Sequence, residues 1–434
     1  MKKVLAAALF VAAVMSTSFV VAQPNRSSTE PRAVTERVAQ LVRDNFYSEA
    51  EGARIANELR TAAASGQLDR FTNPFDLAAA LTARLVPHDA HFHVDYAPPS
   101  TIPSPNTPPA NAGQLAQQAS ARGNYGFARV QMFPGGIGYL DLRGFSNPTA
   151  DSPERRAADA AMTMLSGAQA IIIDQRDCAG GSPAMVGYLV AYFTPQGANI
   201  YNTFHSRQGD SNERPPFEPT SERRLDTPLF VLNSGRTASA CESFAYTLQN
   251  AHRATIIGTP SAGGANPSPF FEAGGGFTMQ VAVANSESPI THRNWEGTGV
   301  IPDVATPVAD ALDRARVLAL QATLQHPVSA QAELESRWAL EALQAGDFRV
   351  SASDLLAYAG DYGARSISAD NGQLFIHRDR RPALRLVPLS RDLFALEGAL
   401  PLQRVRFERD ANNRVVALVL NLVNGPEFRN TRVN

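Results

Sequence analysis

A chain of 434 residues has room for about three domains of ordinary size and for at least one large core. Hydrophobic residues make up 44% of it and charged residues only 18%, a balance that excludes a wholly disordered protein. Lysine excludes more, because Lys2 and Lys3 are the only two in the chain. They open an apolar run, Val4 to Val14, that closes on the small residues of Val20-Val21-Ala22. This is the layout of a secretory signal peptide cut after Ala22, the run being short for the alternative of an uncleaved N-terminal anchor. It predicts an exported protein, periplasmic or secreted. No stable membrane insertion is expected after signal cleavage, since no later segment is apolar for the roughly 20 residues of a spanning helix. Loss of both lysines takes the formal charge from −2 to −4, and no basic face argues for nucleic acid. A mature chain without lysine also excludes a P-loop lysine, a Schiff base and a Ser/Lys dyad.

In chain order, Val34, Val38, Leu41 and Val42, then Leu77, Leu81 and Leu85, fall at helical spacing, which predicts a helical N-terminal domain over 23–98. It ends in His88-Asp-Ala-His-Phe-His-Val-Asp-Tyr96, whose alternation predicts a strand. Residues 99–124, rich at first in Pro, Ser, Thr and Asn, read as a linker. From 125 to 326 strands alternate with helices, as in an α/β layer fold. Ile137–Leu142 is strand-like, Asp151-Ser-Pro-Glu154 opens a helix, and Ala168–Ile173 is apolar enough to be buried on both faces. Ser182-Pro183 starts another helix. Pro228–Asn233 predicts a strand, 239–252 a helix and Thr255–Gly258 a strand. A helical connector over 327–350 leads to 351–434. There Leu374-Phe-Ile, Leu384-Arg-Leu-Val, Leu393-Phe-Ala-Leu, Val405-Arg-Phe and Val415-Val-Ala-Leu-Val-Leu, separated by turn residues, predict a small antiparallel β domain.

Three places carry groups suited to chemistry. Thr237-Ala-Ser-Ala-Cys-Glu242 lies between a buried strand and a helix, where the helix dipole favours developing negative charge. Ser239 there is either a nucleophile or an N-cap completed by Glu242 as a capping box. Gly180-Gly181 also follows a strand and precedes a helix, so its amides are candidates for an oxyanion hole, or simply a turn. His88, His91 and His93 cluster with Asp89 and Asp95. If 91–95 is a strand, His91, His93 and Asp95 share a face and could hold zinc.

Four blocks occur in a specific order: Ile171-Ile-Ile-Asp-Gln-Arg-Asp-Cys-Ala-Gly-Gly181, Arg236-Thr-Ala-Ser-Ala-Cys-Glu242, Ala254-Thr-Ile-Ile-Gly-Thr-Pro-Ser-Ala-Gly-Gly264 and Trp295-Glu-Gly-Thr-Gly-Val-Ile-Pro-Asp303. Together they resemble the tail-specific, or C-terminal processing, serine peptidases. Gly264 stands where the best-known branch has its catalytic lysine. The resemblance is therefore to the branch without it, typified by the tricorn core peptidase and the modules of interphotoreceptor retinoid-binding protein.

That resemblance implies a crotonase- or ClpP-like core and a serine endopeptidase acting on polypeptides without a cofactor or a metal. It puts Ser239 as nucleophile, His91 as base and Glu296 as the supporting carboxylate, with Gly180, Gly181 and Ala240 forming the oxyanion hole. The serine that precedes the histidine in tricorn is Ala90 here. A carrier of apolar ligands on the same scaffold, or a metallohydrolase built on the histidine cluster, are the rival readings. Cys178 and Cys241, the only cysteines, stand beside the two blocks that would converge; they are either a disulfide or two buried thiols.

Overall fold

The computed structural model describes residues 28–98, 112–345 and 348–433. The signal-peptide segment 1–22 lies outside the described residues. The chain divides into two compact units, Met1–Ser104 with Phe270–Val281, and Pro105–Pro269 with Ala282–Asn434.

The first unit contains the helices Pro31–Asn45, Glu49–Ala64 and Pro74–Leu85. Each begins at a residue whose side chain accepts a backbone amide of the first turn: Glu30, Ser48 and Asn73. Proline follows the cap in the first and third, where its missing N–H costs nothing. Their apolar stripes, including Val34, Val38, Val42, Ile55, Leu59, Leu77 and Leu81, are buried. A short strand, His93–Tyr96, pairs antiparallel with Phe277–Gln280, which pairs in turn with Phe270–Gly274.

The alternation from His88 to Tyr96 therefore overstates the strand. Pairing starts only at His93, and a turn closed by the Asp89 side chain holds His91 before it. The expected common face of His91, His93 and Asp95 does not form. His93 and Asp95 stay exposed on the strand and pair with each other, Nε2 to Oδ1 at 3.0 Å.

The second unit is built on a six-stranded sheet in the order Val304–Ala305, Thr255–Gly258, Leu229–Asn233, Ala170–Asp174, Ile137–Leu142, Phe127–Phe133. Neighbours are parallel except at the last pair. Side chains alternate between the faces of a strand, and here both faces are apolar. Ile171, Ile173 and Val231 pack under the helices Pro153–Met164, Pro183–Ala191 and Ala240–Asn250. Ala170, Ile172 and Leu232 pack on Ala311–Gln325. That double burial explains the nearly unbroken apolar runs in the sequence. The expected α/β class is observed.

Two further sheets belong to the same unit. Ala284–Glu287, Thr203–Ser206 and Gly209–Asn212 form one. The other is an eight-stranded antiparallel meander from Gly360–Tyr362 to Glu427–Thr431 around Tyr358, Tyr362, Phe394 and Phe407. It nearly closes on itself, the Val433 amide donating to Asp361 O at 2.8 Å. Three of its strands, Gly360–Tyr362, Arg365–Asp370 and Glu427–Thr431, carry too few apolar residues to stand out in the sequence.

Candidate active site

Loops at the carboxyl ends of the parallel strands collect the candidate residues of the second unit, as open α/β sheets generally do. The loop after Ala170–Asp174 holds Gly180 and Gly181, and the loop after Leu229–Asn233 holds Ser239. Ser239 is exposed, at φ 54 and ψ −123. An N-cap serine has no need of that backbone. Ser152 caps Pro153–Met164 at φ −75 and ψ 153, and Ser48 caps its helix at φ −90 and ψ 109, both in the extended region typical of caps. A non-glycine residue at positive φ costs free energy, and such residues concentrate at functional sites. The strand-to-helix turn around Ser239 has the character of a nucleophile elbow without its Gly-x-Ser-x-Gly sequence.

Gly180 lies against this turn. A Cβ there would stand 2.8 Å from Ser239 Cβ, and Gly180 and Gly181 sit at φ +120 and +141. Only glycine fits both the space and the backbone. The segment is tied down by Phe145 N donating to Gly180 O and Ser182 N donating to Phe145 O. Among the described residues the amides of Gly180, Gly181 and Ala240 have no protein acceptor. Cys178 and Cys241 form a disulfide across 63 residues, and Ala238 N donates to Cys178 O at 3.0 Å. The two blocks expected to converge are thus bonded covalently.

Glu242, fully buried, organises the other side of the turn. Its carboxylate accepts from the amides of Ser239 at 2.7 Å, Gly263 at 2.6 Å and Gly264 at 3.0 Å, and from Ser261 Oγ at 2.7 Å. The next two amides of the same loop, Ala265 and Asn266, donate to Glu296 Oε2 at 2.9 and 3.1 Å. Two glutamates therefore hold four successive amides. The lysine-free position, Gly264, is one of them. Glu296 is further set by its own amide, which donates to Asn294 Oδ1 at 3.0 Å.

His91 belongs to the first unit. Its amide donates to Asp89 Oδ1 at 2.8 Å, and its ring Nδ1 stands 3.1 Å from the same oxygen. The second unit thus brings together Ser239, Gly180, Gly181, Ala240 and, through one loop, Glu296.

Sequence reasoning saw Glu242 only as a capping residue, and it passed over Asp177 and Glu213. Asp177 accepts from Arg236 Nε at 2.7 Å and Arg143 Nη1 at 3.1 Å. These bonds join three strand-end loops, and chiefly the Arg236 guanidinium holds the Asp177 carboxyl below the usual carboxylate range. Glu213 is buried against the helix Ala240–Asn250 with Ser243 and Asn202 as its donors. No local sequence signal marks it.

Residues 136–306 match the family model described as Peptidase family S41. The matched stretch contains Gly180, Gly181, Ser239, Glu242 and Glu296. The chain is 31% identical over 167 residues to a carboxyl-terminal-processing protease of Synechocystis, 38% of this chain and 37% of that protein. It is also 31% identical over 173 residues to the chloroplastic carboxyl-terminal-processing peptidase 2 of Arabidopsis thaliana, 39% of this chain and 32% of that one. The chain thus spans between 32% and 39% of the length of the curated relatives it matches. Among solved structures, the photosystem II D1 C-terminal processing protease is 18% identical, with 65% of this chain and 94% of that one covered and a TM-score of 0.42. The tricorn protease is 12% identical, with 66% and 35% covered and a TM-score of 0.37.

Proposed function

We propose that this protein is an exported serine endopeptidase that cleaves unfolded proteins or peptides through an acyl-enzyme, on a crotonase- or ClpP-like core. A serine hydroxyl is a weak nucleophile until a base takes its proton. His91 acts as that base toward Ser239, and Glu296 supplies the negative charge that favours the imidazolium. The amides of Gly180, Gly181 and Ala240 receive the oxyanion of the tetrahedral intermediate. The acyl-enzyme then yields to water by the same proton relay in reverse. Export rests on residues 1–22, and a mature chain beginning at Gln23 is the expected product.

The observation that carries this reading is the backbone of Ser239, at φ 54 on an exposed strand-to-helix turn with Gly180 packed against it. An N-cap alone does not require such a conformation. The family match of residues 136–306 supports peptidase chemistry at the same turn.

The test is fluorophosphonate labelling of the mature protein, with the adduct located by mass spectrometry and casein cleavage followed in parallel. The label belongs on Ser239, and Ser239→Ala is expected to lose about 10⁴- to 10⁶-fold in turnover. An unlabelled protein that cleaves nothing and binds retinoid or fatty acid tightly is a carrier instead. Cleavage abolished by chelation and restored by zinc makes it a metallohydrolase.

A further inference from the structure

The carboxylate beside His91 has no part in the triad just named. Asp89-Ala-His91 follows the helix Pro74–Leu85 after three intervening residues, and the amides of His88 and Asp89 both donate back to Leu85 O. On the far side the Phe92 amide donates to Asp89 O at 3.1 Å. The Phe92 ring is fully buried, 5.0 Å from that of Phe46, so the turn is anchored at both ends. Within it Asp89 Oδ1 faces two nitrogens, the amide of His91 and the Nδ1 of its ring.

The first contact is an Asx turn, which asparagine makes as well as aspartate. The second is not needed to close that turn, yet it places a carboxylate oxygen on the ring nitrogen that sets the tautomer of a histidine base. The pair is largely withdrawn from water, with side-chain exposures of 5% for Asp89 and 16% for His91. The other histidines of the segment are engaged elsewhere, His88 with Glu58 and Arg54, and His93 with Asp95.

We infer that Asp89 is the positioning residue of the base. It accepts the Nδ1 proton of His91, fixes the tautomer whose lone pair is on Nε2, and stabilises the imidazolium formed when Nε2 takes the Ser239 hydroxyl proton. That proton later passes from Nε2 to the leaving amine, and Asp89 stays ionised throughout. The inference rests on His91 being the base. It moves the orienting role from Glu296 to Asp89 and leaves Glu296, whose Oε2 is occupied by two loop amides, as a fixed negative charge.

Two measurements on the mature full chain test it. In protein labelled with ¹⁵N-histidine, the His91 signals are assigned by their loss in His91→Gln. Neutral His91 is expected to carry its proton on Nδ1 in a single tautomer. In Asp89→Asn the Asx turn survives but the charge is gone, so kcat should fall at least tenfold while KM stays within twofold. A merely structural turn would leave the Asn variant at wild-type kcat. Protonation on Nε2 in the wild type, or an Asp89→Asn kcat within twofold of wild type, overturns the inference. If Asp89→Asn does not fold, the wild-type tautomer alone decides. The tautomer is read without turnover, so a protein that fails to label at Ser239 would end the peptidase reading and leave this result standing.

Discussion

Two carboxyl groups are buried against the helix Ala240–Asn250, one at its first turn and one at its second, and they meet opposite conditions. Glu242 has three backbone amides and a hydroxyl aimed at it, at a helix start whose dipole favours negative charge. Glu213 accepts from Ser243 Oγ and from Asn202 Nδ2, and among the described residues no charged group faces it. Burial pushes its pKa from the usual 4.5 up to about 7, and the two neutral donors only partly offset the push. Equal burial therefore leaves the two groups in unlike surroundings. What differs is the number of dipoles already oriented toward the carboxylate before it ionises.

The comparison also assigns different work to the two groups. Glu242 joins the turn at Ser239 to the loop whose next amides donate to Glu296, so its carboxyl ties that turn and loop together. Glu213 joins the base of the hairpin Thr203–Asn212 to the helix, where Asn202 Nδ2 also donates to Ser243 Oγ and Thr247 Oγ1. A protonated Glu213 serves there as well as an ionised one, or better.

The largest expected effect separates them directly. Glu242→Ala orphans three amides and a hydroxyl, each costing about 1–3 kcal/mol when water does not replace the partner. A loss of about 3 kcal/mol or more in urea unfolding at pH 7 is expected, together with loss of casein cleavage. A variant within 1 kcal/mol of wild type would mean that the four donors do not depend on this carboxylate.

The second effect has the opposite sign and depends on pH. Below pH 4.5 Glu213 is neutral in both the folded and unfolded chains and costs nothing. Between 4.5 and about 7 the unfolded chain loses its proton while the folded one keeps it, so stability falls with rising pH and levels off above 7. The full shift corresponds to about 3 kcal/mol as an upper value. Glu213→Gln should therefore be more stable than wild type by about 2–3 kcal/mol at pH 8, with the difference gone by pH 4. A difference independent of pH would show that Glu213 does not titrate in this range.

The smallest expected effect tests the donors. Ser243→Ala removes the hydroxyl on which both Glu213 oxygens converge, and a loss of about 1 kcal/mol is expected. The pH step measured against Glu213→Gln should also move upward, because the ionised form loses a donor. An unmoved step would leave Asn202 as the only donor that matters.

Much of the core was legible in the sequence for a local reason. A parallel strand covered on both faces must be apolar at nearly every position, so Ala170–Asp174 and Leu229–Asn233 stood out from their neighbours. Glycines and prolines marked the turns because those backbones admit few other residues. The edge strands of the meander were harder to read, since one exposed face allows almost any polar side chain. The alternation around His91 misled because a period of two is also compatible with a turn closed by a side chain, and only the Asp89 hydrogen bonds distinguish the two.

By itself the sequence determined the α/β order of the core and the four ordered blocks, including the glycines beside the serine. It also determined the absence of any lysine beyond Lys3. Tertiary structure alone decided the Cys178–Cys241 pairing, left open between bond and thiols until then. It also decided the gathering of the Ser239, Gly263 and Gly264 amides on Glu242, and the isolation of Glu213. Charge states and bonds between distant segments depend on which dipoles and side chains the folded chain brings within about 3 Å, and no local pattern encodes that distance.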